Sequence, residues 1–160
     1  MSSKTTYAPT QIALHWVIVV LFYFNFFVSE GMGRANYQLH SGQPVTGSVA
    51  DWHIPVGLTL LGLMILRLLL RLRDGVPAPA DGGDPRLAKL AEALHWVFYA
   101  LLILGPMAGA ASWYFGMRTL GEWHGPIMTL AFFLTFAHIG AALYHQFWLK
   151  DNLIARMRAS

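Results

Sequence analysis

Three stretches of this chain carry no formal charge, and they constrain its fold more than any other feature. They lie between Lys4 and Glu30, between Glu92 and Arg118, and between Glu122 and Lys150. Each exceeds the ~20 residues that a helix needs to cross the hydrocarbon of a bilayer. A fourth candidate is shorter. Fifteen uncharged residues separate Asp51 from Arg67, and Leu68, Leu69 and Leu70 follow. It reads as a span if Arg67 faces the bundle interior and Arg71 and Arg73 snorkel to the interface. The expected spans are 9–30, 52–72, 90–113 and 123–149. Together they predict an all-α fold, an integral membrane up-down four-helix bundle formed by one domain over 1–160.

Composition agrees. Only 12% of the 160 residues are charged and 56% are hydrophobic, against about 25% charged in ordinary globular chains. Trp16, Trp52, Trp96, Trp113, Trp123 and Trp148 all fall near proposed span ends, where indole rings prefer the interface. Gly31, Gly33 and the stretch to Gly47 break the chain after the first span. Pro77, Pro79, Gly82, Gly83 and Pro85 break it after the second.

Basic residues set the orientation. One side holds Lys4, Arg67, Arg71, Arg73, Arg86, Lys89, Lys150, Arg156 and Arg158, whereas the other holds only Arg34 and Arg118. The positive-inside rule then places both termini and the 74–89 loop in the cytoplasm. The net charge of +3 is thus a matter of topology, and no nucleic-acid partner is expected. The first span has no small-residue cleavage site and reads as an anchor.

A weak internal repeat distributes the histidines. Ala13-Leu14-His15-Trp16-Val17 recurs as Ala93-Leu94-His95-Trp96-Val97. Asp51-Trp52-His53-Ile54-Pro55 is echoed by Glu122-Trp123-His124-Gly125-Pro126. Two helical hairpins follow, each with one His near either membrane face. The acidic residues suit the positive ends of their helices, and each Pro suits a first turn. His53 and His124 then share one height, and His15 and His95 share the other. His138 lies fourteen residues beyond His124, about 21 Å of rise and nearly four whole turns, so one helix offers imidazoles to two stacked sites. His145 continues that stripe. Either His15 or His95 can partner His138 on spacing alone.

With no cysteine in the chain, disulfides, thiolate metal sites and covalently attached haem are excluded. Ionisable groups inside spans are costly and normally mark function. A closed zinc site would want more thiolates or carboxylates than are present. Iron in a porphyrin needs only two neutral imidazoles, one on each face. Arg67, with Arg71 beside it, would suit haem propionates. Arg118 and Arg34 would draw an anion to the outer face. His40 reads as a solvated loop residue.

The His15-Trp16 start, the Trp52-His53 pair and the run Arg67-Leu68-Leu69-Leu70-Arg71-Leu72 resemble the bacterial cytochrome b561 family. So do Trp123-His124 followed by His138 and the tail from Phe147 to Met157. The resemblance covers essentially the whole chain. It implies two b haems stacked along the membrane normal, with His15 and His138 holding the lower and His53 and His124 the upper. It also implies ubiquinone as electron acceptor and superoxide as the periplasmic donor, which makes the expected enzyme a superoxide oxidase. His95 and His145 become candidate quinone or proton partners, and Arg118 a steering residue. The alternative is a conduit serving a redox protein partner. Members often carry His-His where this chain has His145-Gln146, and some have a longer third loop than 114–122.

Overall fold

A computed structural model describes residues 6–77 and 85–157. Five α-helices run in the order α1 Pro9–Phe27, α2 Met32–His40, α3 Val49–Asp74, α4 Pro85–Phe115 and α5 Arg118–Tyr144. A π-helical turn, His145–Leu149, prolongs α5, and a 3₁₀ turn, Leu153–Met157, follows it. Of the residues named above, Lys4, Pro79, Gly82, Gly83 and Arg158 lie outside the described residues.

Helices α1, α3, α4 and α5 are each long and apolar enough to cross a membrane. Even α1, the shortest at 19 residues, extends about 28 Å. Their outer surfaces confirm the solvent they are built for. Val20, Phe27, Leu69, Phe133, Phe136 and Trp148 all expose more than half of their area. A contiguous apolar surface of this kind is a liability in water and ordinary against lipid tails.

The helices start and stop for local reasons. Pro9 occupies the first turn of α1, where its missing N–H costs nothing. Asp51 sits in the first turn of α3 and Arg71 and Arg73 in its last, matching the helix dipole at both ends. Gly116 takes φ +68, a left-handed conformation that glycine adopts without strain, and lets α4 reverse into α5 within two residues. Gly31, at φ +93, does the same between α1 and α2.

Several boundaries differ from the sequence expectation: α1 ends at Phe27 rather than 30, and α4 runs from Pro85 to Phe115 rather than over 90–113. Helices α3 and α5 begin at Val49 and Arg118, ahead of the expected Trp52 and Trp123. Pro55 and Pro126 therefore fall inside their helices rather than in the first turn. Each removes one backbone hydrogen bond there, and the helical turn ahead of it makes the rest. The stretch after Gly31, read as a loop, contains α2. His40 closes that helix, with Nδ1 donating to the Asn36 carbonyl at 2.8 Å and Nε2 buried. It is not a solvated side chain.

Backbones lie close between α1 and α3, α3 and α4, and α4 and α5. Helices α1 and α5 meet through long side chains instead. Phe26 stacks on Phe132 with centroids 4.2 Å apart, and the Tyr23 hydroxyl bonds Thr135 Oγ1 at 2.6 Å. At mid-height the bundle closes around Ile18, Phe22, Leu60, Met64, Tyr99, Leu102 and Ala131. Ala131 is fully buried, seven residues from His124 and seven from His138. An apolar plug thus separates the two histidine levels. Ala131→Leu is expected to cost about 1–3 kcal/mol through overpacking, seen as a lower thermal midpoint in detergent.

Candidate functional site

At the end of the bundle that carries α2, α3 contributes His53 and α5 contributes His124, with ring centroids 6.0 Å apart. Both line a cavity of about 370 Å³. That volume lies within the range of small-molecule and cofactor pockets and far exceeds what an ion or a single water needs. Polar side chains in its wall include Asn25, Ser29, Asn36, Ser112 and Thr129. Ser112 Oγ donates to Asn36 Oδ1 at 3.1 Å, which ties α2 across the cavity.

Ring orientation here is set by the main chain. His124 Nδ1 donates to the Gly105 carbonyl at 2.7 Å, which fixes its tautomer and leaves Nε2 with a free lone pair. The ring can lie there only because position 109 is glycine. A Cβ at Gly109 would come within 2.9 Å of His124 Nδ1. Gly57 is similarly tight, since a Cβ there would meet Asn25 Nδ2 at 3.3 Å. His53 Nδ1 is buried without a hydrogen-bond partner. Gly109→Val is therefore expected to displace the imidazole and weaken any ligand held by it about 10–100-fold, measured by cofactor retention on dilution.

At the opposite end, His138 of α5 meets two imidazoles. Its centroid lies 6.4 Å from that of His15 on α1 and 5.3 Å from that of His95 on α4. Phe98 packs edge-on at 5.6 Å. His95 Nδ1 donates to the Ala91 carbonyl one turn back at 2.6 Å. Beside these rings Arg67 Nη1 donates to the Gln11 carbonyl at 2.6 Å. The Arg71 guanidinium lies 5.3 Å from the Trp96 ring centre and 5.9 Å from that of Tyr99, and 4.0 Å from Glu92. Both arginines are thus at the level of the lower histidines, mostly buried and held by aromatic and carbonyl groups. Arg73 is exposed and pairs with Asp74. A groove of about 430 Å³ at this end runs along α1 and α3 past Thr10, Leu66 and Arg73, and none of its lining residues is a histidine.

The remaining candidates stand apart. Arg118 is exposed and pairs with Glu122 across one turn at 3.3 Å. His145 Nδ1 bonds Asp151 Oδ2 at 2.5 Å. Sequence reasoning missed Asp151, the Asn36–Ser112 bond and the Gly105 carbonyl. Only Asp151 left a trace, as the acidic residue of the tail.

Two imidazoles that share one metal, with metal–nitrogen bonds of about 2 Å, bring their ring centroids to about 6 Å. The His53–His124 and His15–His138 separations meet that condition. Among the described residues no cluster of three or more His, Asp or Glu is placed to hold a bare ion. The residues present fit a flat porphyrin: a cavity, an imidazole from each of two facing helices and a glycine cradle. These features are those of a helical bundle of membrane-crossing length with imidazoles brought together at two levels.

Comparison with known proteins agrees. The family model for prokaryotic cytochrome b561 matches residues 6–159. A protein named cytochrome b562 from Cereibacter sphaeroides is 32% identical, over 98% of both chains. A probable superoxide oxidase, CybB, from Yersinia pestis is 31% identical over 94% of both. Cytochrome b561 homolog 1 of Escherichia coli is 26% identical over 94% of this chain and 96% of its own. The chain belongs to the prokaryotic cytochrome b561 family. It is a multi-pass membrane cytochrome that transfers electrons, and its family implies b-type haem.

Proposed function

We propose that this cytochrome oxidises superoxide at its outer face and passes the electrons to ubiquinone at the other. In balance, two superoxide ions, one quinone and two protons become two dioxygen molecules and one quinol. The observation that carries this reading is the pair His53 and His124 in a cavity beneath α2, one level above a second set of imidazoles. The 31% identity to a protein named probable superoxide oxidase supports the choice of donor.

When bound, haem supplies a one-electron iron couple at each level. The chain's residues do the rest. His53 and His124 hold the outer group. His15 and His138 hold the inner one, since their 6.4 Å separation suits a shared metal better than the 5.3 Å of His95 and His138. Arg67 and Arg71 offer guanidinium donors to propionates at the inner level. The plug around Leu60, Leu102 and Ala131 keeps water from the path between levels. His95 and His145 are placed to serve quinone and its protons.

Both termini lie in the cytoplasm in this reading. The Trp16 indole donates to the Met157 carbonyl at 3.0 Å, so the start of α1 and the tail share one side, the side rich in Lys and Arg. The outer face is then periplasmic, with Arg34 and Arg118 as its basic residues. Arg118→Glu is expected to slow reduction by superoxide several-fold at low ionic strength. The deficit should shrink as salt screens the field, and Glu122 already offsets part of the native charge.

Rapid mixing of the haem-loaded protein with superoxide tests the proposal. The expected result is haem reduction at a rate proportional to superoxide, followed by reoxidation on adding quinone. Haem reduction no faster than in controls without superoxide would remove superoxide as donor and leave a conduit for a redox partner.

A further inference from the structure

The tail after α5 is held more tightly than an exposed terminus needs to be. Helix α5 widens into the π turn at His145, and Lys150 and Asn152 both take left-handed φ of 55. These are uncommon for residues with side chains and persist only where the surroundings impose them. The result is a sharp reversal that brings Asp151 back onto His145. Asp151 Oδ2 accepts from His145 Nδ1 at 2.5 Å, and its other oxygen accepts from the Leu153 N–H at 3.1 Å. Gln146 Oε1 accepts from the Ile154 N–H at 3.3 Å. The Trp16 indole holds the far end at Met157. The Asp151 and His145 side chains are only 9% and 18% exposed.

A largely buried carboxylate on an imidazole Nδ1–H fixes the tautomer with Nε2 as the base, and stabilises the imidazolium that forms when Nε2 takes a proton. His145 is two turns beyond His138 on the same side of the bundle, about 10 Å further along the axis. Reduction of a quinone there consumes two protons from the tail side.

We propose that Asp151 is a positioning residue for His145, and that the folded-back tail makes the two a proton-delivery pair for the quinone-reducing site. This rests on the quinone reading given above. In each delivery the His145 Nε2–H bond breaks and an O–H bond forms on the reduced quinone, while the electrons arrive from the inner haem. Water on the cytoplasmic side then reprotonates Nε2, with Asp151 remaining a carboxylate throughout.

The test starts from full-length haem-loaded protein reduced with dithionite and mixed with decylubiquinone, so superoxide plays no part. In Asp151→Asn and in His145→Gln, reoxidation should slow about tenfold or more, and the double variant should be no slower than the worse single one, because the two act as a unit. The solvent deuterium isotope effect on reoxidation should rise in both. Asp151→Glu, which keeps the carboxylate, should recover most of the rate. A variant that merely loosens the tail would slow the step with an unchanged isotope effect, and that result overturns the pair. So does a rate within twofold of native in Asp151→Asn. Should Asp151→Asn not load haem, His145→Gln with native-like rate and isotope effect would overturn it equally. A native protein that quinone does not reoxidise would instead sink the quinone reading itself.

Discussion

Replacing His124 with alanine should remove one haem and leave the other in place. The reduced-minus-oxidised absorbance should fall to about half, with the remaining haem still six-coordinate. His124 is the better anchored of the outer pair, through the Gly105 carbonyl, and truncation deletes both the ligand and the group that fixes cavity shape beside Gly109. His53→Ala should delete the same haem. The apolar plug at Ala131 insulates the lower level, seven residues away along α5, so its ligands should stay in register. Pyridine haemochrome quantification of both variants checks this, and loss of different haems would overturn the pairing.

The second large effect separates His15 from His95. His138→Ala should empty the lower site whichever partner is right. His15→Ala should do the same, whereas His95→Ala should retain both haems and lose rate in the quinone half-reaction. The 5.3 Å centroid distance and the Nδ1 bond to Ala91 describe a ring packed against His138 from α4, a place suited to a proton or quinone contact. Retained haem in His15→Ala together with loss in His95→Ala would exchange their roles.

Much of this was legible in the sequence because the bilayer imposes simple rules. Charge-free length marked three of the spanning helices, and the fourth needed Arg67 turned inward and Arg71 and Arg73 at the interface. The repeat around His15, His53, His95 and His124 sorted the imidazoles by depth. The structure brings His53 to His124 and gathers His15 and His95 around His138. Helix ends were harder. Asp51 and Glu122 resembled starting residues, yet the helices extend further because nothing breaks them before Ser48 and Met117. Short amphipathic α2 was hidden in a run of polar and small residues whose composition reads equally as loop. The Asp151–His145 contact depends on a π turn and two left-handed residues, Lys150 and Asn152. No periodicity announces such a reversal. The Gly105 carbonyl was unreadable in principle, since every residue carries one and only the crossing of α4 and α5 selects it.

Electron transfer through this bundle depends on two bis-imidazole sites. Purified protein should therefore contain about two b haems per chain, and its oxidised form at low temperature should show two low-spin ferric signals with negligible high-spin iron. One haem per chain, or a high-spin signal from iron bound by a single imidazole, would contradict it.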